Sequence, residues 1–155
     1  MRQAYRGYLQ TLTCDAPAAQ LWDALVVPES LKLWHAEEAR VDLRPGGRYS
    51  YRSRLLGARD AYIDVVEPGR RLRLVYETNP AWPAPGDSVI VEDFLIDSGA
   101  TRTEGLRSQL RLLGSGVPPG PEWNQTLKRL KAGWAVAFSY LQRRLMRREM
   151  ERQAS

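Results

Sequence analysis

Two adjacent acids interrupt an apolar run, and there the sequence comes closest to chemistry. Val89-Ile90-Val91-Glu92-Asp93-Phe94-Leu95-Ile96 reads as a strand. Side chains of a strand alternate between its faces, so one of the two acids must turn toward the covered side. Alternation with Ile90, Phe94 and Ile96 turns Glu92 inward; alternation with Val89, Val91 and Leu95 turns Asp93 inward. A buried carboxylate needs a partner or has its pKa pushed up. It would orient a ligand, serve as an acid, or sit in a salt bridge to an arginine of a neighbouring strand or at the sheet rim. His35, the single histidine, directly follows Trp34. Its intrinsic pKa suits a general base, but the end of a short helix more often carries a capping or surface histidine. A triad with a second histidine is impossible, and no serine lies in a Gly-x-Ser-x-Gly elbow. Glu92, Asp93 and His35 are therefore weak catalytic candidates, and nothing in the sequence demands catalysis.

A second group suits binding. Tyr49, Tyr51 and Tyr76 add hydroxyls to an otherwise apolar face, and Ser108 adds another. Such a face fits an amphipathic or aromatic ligand, or it simply fills a core. Trp123 and Trp134 read as packing residues. Trp82, in a proline-rich loop, is a lid over a pocket mouth, a dimer contact or a loop anchor. Cys14 is the single cysteine, so no internal disulfide forms. With only Cys14 and His35 as soft ligands, no zinc site is expected, and we expect neither metal nor cofactor.

The positioning elements follow from periodicity. Trp123, Leu127, Leu130, Trp134, Phe138, Leu141 and Leu145 recur at steps of three and four, one apolar stripe on a long helix from Glu122 to Arg152. Residues Tyr5 to Thr13 read as a first strand. Asp15 then looks like an N-cap, with Pro17 in the first turn and Ala18, Leu21, Trp22 and Leu25 on a short helix. Pro28 stops it and opens a second, Glu29 to about Trp34. Six strands follow: Val41 to Arg44, Arg48 to Leu55, Ala58 to Glu67, Arg71 to Tyr76, Ser88 to Asp97 and Arg102 to Leu113. Pro45-Gly46-Gly47, Gly57 and Pro68-Gly69 mark turns between them. The inward face of Ala58 to Glu67 is ambiguous, because Ile63 and Val65 on one face and Tyr62 and Val66 on the other are all apolar. Hairpin-length turns imply an antiparallel sheet, and alternation implies one covered face. The long helix is the only element large enough to cover it.

The chain has 155 residues, 43% of them hydrophobic and 26% charged, which suits one compact domain over 1–155. No apolar run reaches the roughly 18 residues of a membrane span, and Met1 to Arg6 lacks the apolar stretch of a signal peptide; a cytoplasmic location is expected. The formal charge of +5 owes much to arginines on the last helix. They read as a solvated face suited to the helix dipole, and nucleic-acid binding is not expected.

Four stretches carry a resemblance. They are Ala16-Pro17-Ala18-Ala19-Gln20-Leu21-Trp22-Asp23-Ala24-Leu25 followed by Pro28-Glu29-Ser30-Leu31-Lys32-Leu33-Trp34; Asp42-Leu43-Arg44-Pro45-Gly46-Gly47-Arg48-Tyr49; Val65-Val66-Glu67-Pro68-Gly69-Arg70-Arg71-Leu72; and Gly133-Trp134 with Tyr140-Leu141. In order and spacing the chain resembles the START-like, or SRPBCC, superfamily, in the branch related to the C-terminal domain of the heat-shock-protein-90 ATPase activator. The resemblance implies an α+β helix-grip fold: a curved antiparallel sheet wrapped around a long C-terminal helix, with two short helices after the first strand. Members bind lipids, sterols, hormones or polyketides, act as cyclases, or bind proteins, and fold alone does not choose among these.

The leading expectation is non-catalytic binding of a small apolar or amphipathic ligand between sheet and helix. Tyr49, Tyr51, Leu74, Tyr76, Phe94, Ser108, Leu110, Leu127, Leu130 and Trp134 should line that site. The alternatives are a polyketide-cyclase-like or hydrolase-like enzyme using the inward carboxylate, and a co-chaperone-like module that binds a protein partner or a second copy of itself.

Overall fold

The computed structural model describes residues 4–84, 86, 88–101 and 105–154. Its elements run β1 (Arg6–Cys14), α1 (Ala18–Val26), α2 (Pro28–Trp34), β2 (Glu38–Val41), β3 (Arg48–Ser53), β4 (Gly57–Glu67), β5 (Arg71–Tyr76), β6 (Val91–Thr101), β7 (Gly105–Val117), a 3-10 turn (Pro121–Trp123) and α3 (Asn124–Ala154). The seven strands form one sheet in the order β1-β7-β6-β5-β4-β3-β2, and every neighbouring pair is antiparallel. Strands β2 to β7 are a meander, and β1 closes the far edge against β7. The fold is the helix-grip α+β arrangement.

The stripe of α3 is buried along its length: Leu127, Leu130, Trp134, Phe138, Leu141 and Leu145, with Trp123 one turn earlier. They meet the inward residues of the sheet, among them Tyr8, Leu12, Tyr49, Tyr51, Ile63, Leu72, Leu74, Tyr76, Phe94, Leu110 and Leu112. Full burial of each such aliphatic side chain contributes roughly 1.5–3 kcal/mol, so this interface dominates stability. Helices α1 and α2 cover one end, where the Trp34 indole N–H donates to the Ala24 carbonyl at 3.0 Å.

Several boundaries differ from expectation, each for a local reason. Asp15 is not the N-cap of α1. Pro17 holds that position in an extended conformation, and Asp15 lies 3.6 Å from Arg107 instead. The strand expected at Val41 to Arg44 ends at Val41. Beyond it the Arg44 and Gly47 amides donate to the Asp42 and Arg44 carbonyls, tightening the loop. Strand β3 stops at Ser53, whose hydroxyl accepts the Leu55 and Leu56 amides and turns the chain. Strand β6 starts at Val91 and extends to Thr101, held along its length by β7. The expected start of the last strand at Arg102 lies outside the described residues. Proline and glutamate open the last helix as a 3-10 turn, so its α-helical part begins at Asn124.

Candidate functional site

Beneath α3, the inner face of the sheet carries an enclosed polar cluster. Glu92 is the inward acid, fully buried on β6 opposite Leu74 of β5. Its neighbour Asp93 therefore faces out, where Arg71 grips it with two bonds of 3.0 and 2.8 Å and Arg73 lies 3.9 Å away. Alternation with Ile90, Phe94 and Ile96 is the register the fold selects.

Glu92 accepts hydrogen bonds on both oxygens. The Arg59 Nη1 donates to Oε1 at 3.0 Å and to Oε2 at 2.9 Å. The Tyr8 hydroxyl and the Trp134 indole N–H also donate to Oε2, at 2.5 and 2.7 Å. Three side chains from β1, β4 and α3 thus converge on one carboxylate, the satisfaction that a buried charge requires. Arg59 Nη1 also donates to the Tyr51 hydroxyl at 2.9 Å, and the Tyr51 and Tyr76 hydroxyls lie 3.1 Å apart. The guanidinium stacks on the Tyr76 ring, 3.7 Å from its centroid, and lies 5.2 Å from the Trp82 centroid. Burial works against the Arg59 charge, but the Glu92 carboxylate and the tyrosine oxygens more than restore it, so its pKa is raised. Burial pushes the Tyr8, Tyr49, Tyr51 and Tyr76 hydroxyls up, so they stay protonated; Tyr8 and Tyr49 donate, and between Tyr51 and Tyr76 either hydroxyl can be the donor.

Arg59 was not anticipated. The apolar residues on both faces of β4 obscured it, yet a signal existed. Asp60, Tyr62 and Asp64 are exposed while Arg59, Ala61 and Ile63 are buried, so the two acids could have marked the wet face. A bulge between Ile63 and Val65 then breaks the period and leaves Val65 and Val66 half-buried. Tyr8, set opposite Gly114, was likewise read only as part of a strand.

His35 ends α2, and part of the residue is exposed, but both ring nitrogens are sealed and lack a partner among the described residues. The ring sits 4.5 Å from Tyr51, 4.8 Å from Trp134 and 5.0 Å from Trp34, centroid to centroid. Burial, and then the Arg59 charge, lower its pKa to about 3. The Cys14 thiol is buried, which raises its pKa. Among the described residues, no group of three or more His, Cys, Asp or Glu is placed to hold a metal.

Tyr49, Tyr51, Leu74, Tyr76, Phe94, Ser108, Leu110, Leu127, Leu130 and Trp134 are all buried in the core. Arg59 and Glu92 share that core with them, and the Tyr49 hydroxyl is spent on the Leu25 carbonyl at 2.6 Å. A cavity of about 390 Å³ opens next to this core, where β5 runs into the 77–90 connection; Tyr76 alone of the ten borders it. Trp82, Pro83, Val89, Ile90 and Trp123 supply most of its apolar wall. Trp82 packs edge-on against Trp123 at 6.3 Å. A smaller hollow of about 110 Å³ shares Trp82 with it and is bordered by Arg59.

The sheet order, the gripping helix and the polar cluster enclosed between them define a START-like helix-grip domain. The chain belongs to the family described as Activator of Hsp90 ATPase homolog 1-like protein, whose sequence model matches residues 15–145. No curated protein sequence matches it. Among solved structures it is similar to protein MLL2253 from Mesorhizobium loti, at 23% identity over 92% of this chain and 98% of that one, with a TM-score of 0.73. It is similar to DynU16, a protein in the dynemicin biosynthetic locus, at 20% identity over 90% of this chain and 47% of that one, TM-score 0.70. It is also similar to the Aha1 dimer from Colwellia psychrerythraea, at 16% identity over 90% and 96%, TM-score 0.67. At these identities the likeness establishes the fold. Among the described residues, no helix is long and apolar enough to cross a membrane.

Proposed function

We propose that this protein binds a small amphipathic molecule without transforming it. The site is the cavity beside Tyr76, Trp82 and Trp123. The observation that carries the reading is the cavity itself. Its 390 Å³ falls in the range of small-molecule sites, roughly 300–1,000 Å³. Its wall is largely aromatic and aliphatic, with Thr78, Asn79, Ser88 and the Tyr62 hydroxyl as polar points and Glu77 as a charged one. The likeness to DynU16, from a biosynthetic locus, agrees with a small-molecule ligand. Against a catalytic reading, Glu92 is already saturated by Arg59, Tyr8 and Trp134, and His35 has no hydrogen-bonded partner among the described residues to relay a proton. The test is protein-observed NMR with a panel of amphipathic small molecules. Saturable, joint shifts of the Trp82 and Trp123 indole resonances are expected; a panel that leaves both unmoved would sink the reading.

A second reading, contact with a protein or a second copy, draws on the likeness to a protein whose structure is a dimer. The surface that fits it is a notch of about 230 Å³ where exposed Leu33 and Tyr140 meet Arg143, Arg144 and Arg147. Sedimentation of the wild type and of Leu33→Asp/Tyr140→Asp tests it: a dimer in the first and a monomer in the second is the expected pair, and a wild-type monomer at every concentration rejects self-association.

A further inference from the structure

Glu92 uses only one nitrogen of Arg59. Both of its oxygens are met by Nη1, while Nε and Nη2 are buried and have no acceptor among the described residues. Those two nitrogens form one edge of the guanidinium, two parallel N–H donors with the spacing of a carboxylate's oxygens. A buried donor left without an acceptor costs about 1–3 kcal/mol, more when charged. This cost is borne at a specific place: Arg59 borders the 110 Å³ hollow, and its side chain is 1% exposed. Tyr76, Glu77, Thr78, Asn79 and Trp82 border both this hollow and the 390 Å³ cavity, so the two adjoin at these residues.

Resting on the cavity reading above, we propose that the ligand is an organic acid with an apolar or aromatic body. The body lies against Trp82 and Trp123, and the carboxylate docks on the Nε/Nη2 edge of Arg59. Glu92 then acts as the positioning residue: it fixes Nη1 and so turns the free edge of the fork away from itself. The same hollow is bordered by two acids, Asp60 and Glu77. Both are exposed, and Arg48 stands 3.7 and 3.6 Å from them, which screens the incoming charge from their field. A neutral ester of equal size would fill the cavity but offer one weak acceptor where the edge presents two donors.

The experiment compares matched probes: naphthylacetate with its methyl ester, and decanoate with its methyl ester, titrated into the wild type and into Arg59→Lys. Lysine keeps a cation beside Glu92 but has no forked edge. A charge-assisted pair of bonds predicts that the wild type prefers each acid by about 10-fold or more, and that the ratio falls to about one in Arg59→Lys. In the wild type the Arg59 Nε–H resonance should move with the acid and stay with the ester, a readout that needs no variant. Equal affinity for acid and ester, or a preference that survives in Arg59→Lys, overturns the acid proposal while leaving the cavity reading intact. Failure of every probe to bind at up to about 1 mM, the weak end of specific affinity, overturns both.

Discussion

Arg59 and Glu92 meet across a strand that belongs to neither. Arg59 is on β4, Glu92 is on β6, and β5 lies between them in the sheet. The guanidinium bridges the gap by lying over the Tyr76 ring of β5, 3.7 Å from its centroid, and places Nη1 2.9 Å from the carboxylate. Three adjacent strands and α3 are thereby tied at one fully buried point.

Breaking this pair from one side leaves an uncompensated charge in the core. Arg59→Met and Glu92→Gln should each cost about 3–5 kcal/mol in urea unfolding. The double variant should recover much of that loss, because neither charge is then stranded. A double variant as unstable as the sum of the singles would show that the two groups are not coupled.

Trp134 contributes one donor and a large volume. In Trp134→Phe the 2.7 Å bond to Glu92 disappears and a gap opens beside Phe94 and Phe138. A loss of about 2–4 kcal/mol follows from an unsatisfied acceptor together with a cavity. Thermal unfolding measures it, and a change below half a kilocalorie would contradict the buried bond.

His35 makes stability depend on pH in a defined window. Its folded pKa, about 3, lies below the unfolded value of about 6.5. Between those values the unfolded chain binds the proton more readily than the folded one, so stability falls as pH drops. The slope from this group is about 1.4 kcal/mol per pH unit, and the loss stops below the folded pKa. Above about 6.5 the histidine contributes no slope. His35→Phe should flatten the difference between pH 6.5 and pH 4, and at pH 7 should be at least as stable as wild type, since neither ring nitrogen has a bond to lose. Parallel wild-type and variant slopes in urea titrations across this range would reject the buried-histidine account.

Gly114 is where β7 makes room for Tyr8. A Cβ there would stand 2.2 Å from the Tyr8 ring. The ring cannot swing aside freely, because its hydroxyl is held by Glu92. Gly114→Ala should therefore cost about 1–3 kcal/mol through overpacking, and should alter the near-ultraviolet tyrosine signal. Equal stability with an unchanged signal would mean that Tyr8 is not held in this position.

Much of the architecture was legible in the residues. The seven-residue stripe from Trp123 to Leu145 placed α3 and its buried face, because helical periodicity is a local property that needs no knowledge of the partner. The alternation in Arg48 to Tyr51 and in Arg71 to Tyr76 likewise assigned inward tyrosines and leucines. Glu92 was one of two registers that the sequence allowed. The polar cluster itself was not legible. Arg59 and Glu92 stand 33 residues apart, and only the β4–β5–β6 register sets their separation in space. The cavity followed the same rule. Tyrosines with polar tips announce either a pocket or a core, and whether neighbouring side chains fill the space depends on packing in three dimensions. Sequence by itself determined the apolar stripe of α3 and the covered face of regularly alternating strands such as β3, since that is set by the order of residue types along each element; on β4 and β6, apolar residues on both faces left the choice to the tertiary structure. Tertiary structure decided which buried polar atoms find partners and which, like the Nε/Nη2 edge of Arg59, are left without one.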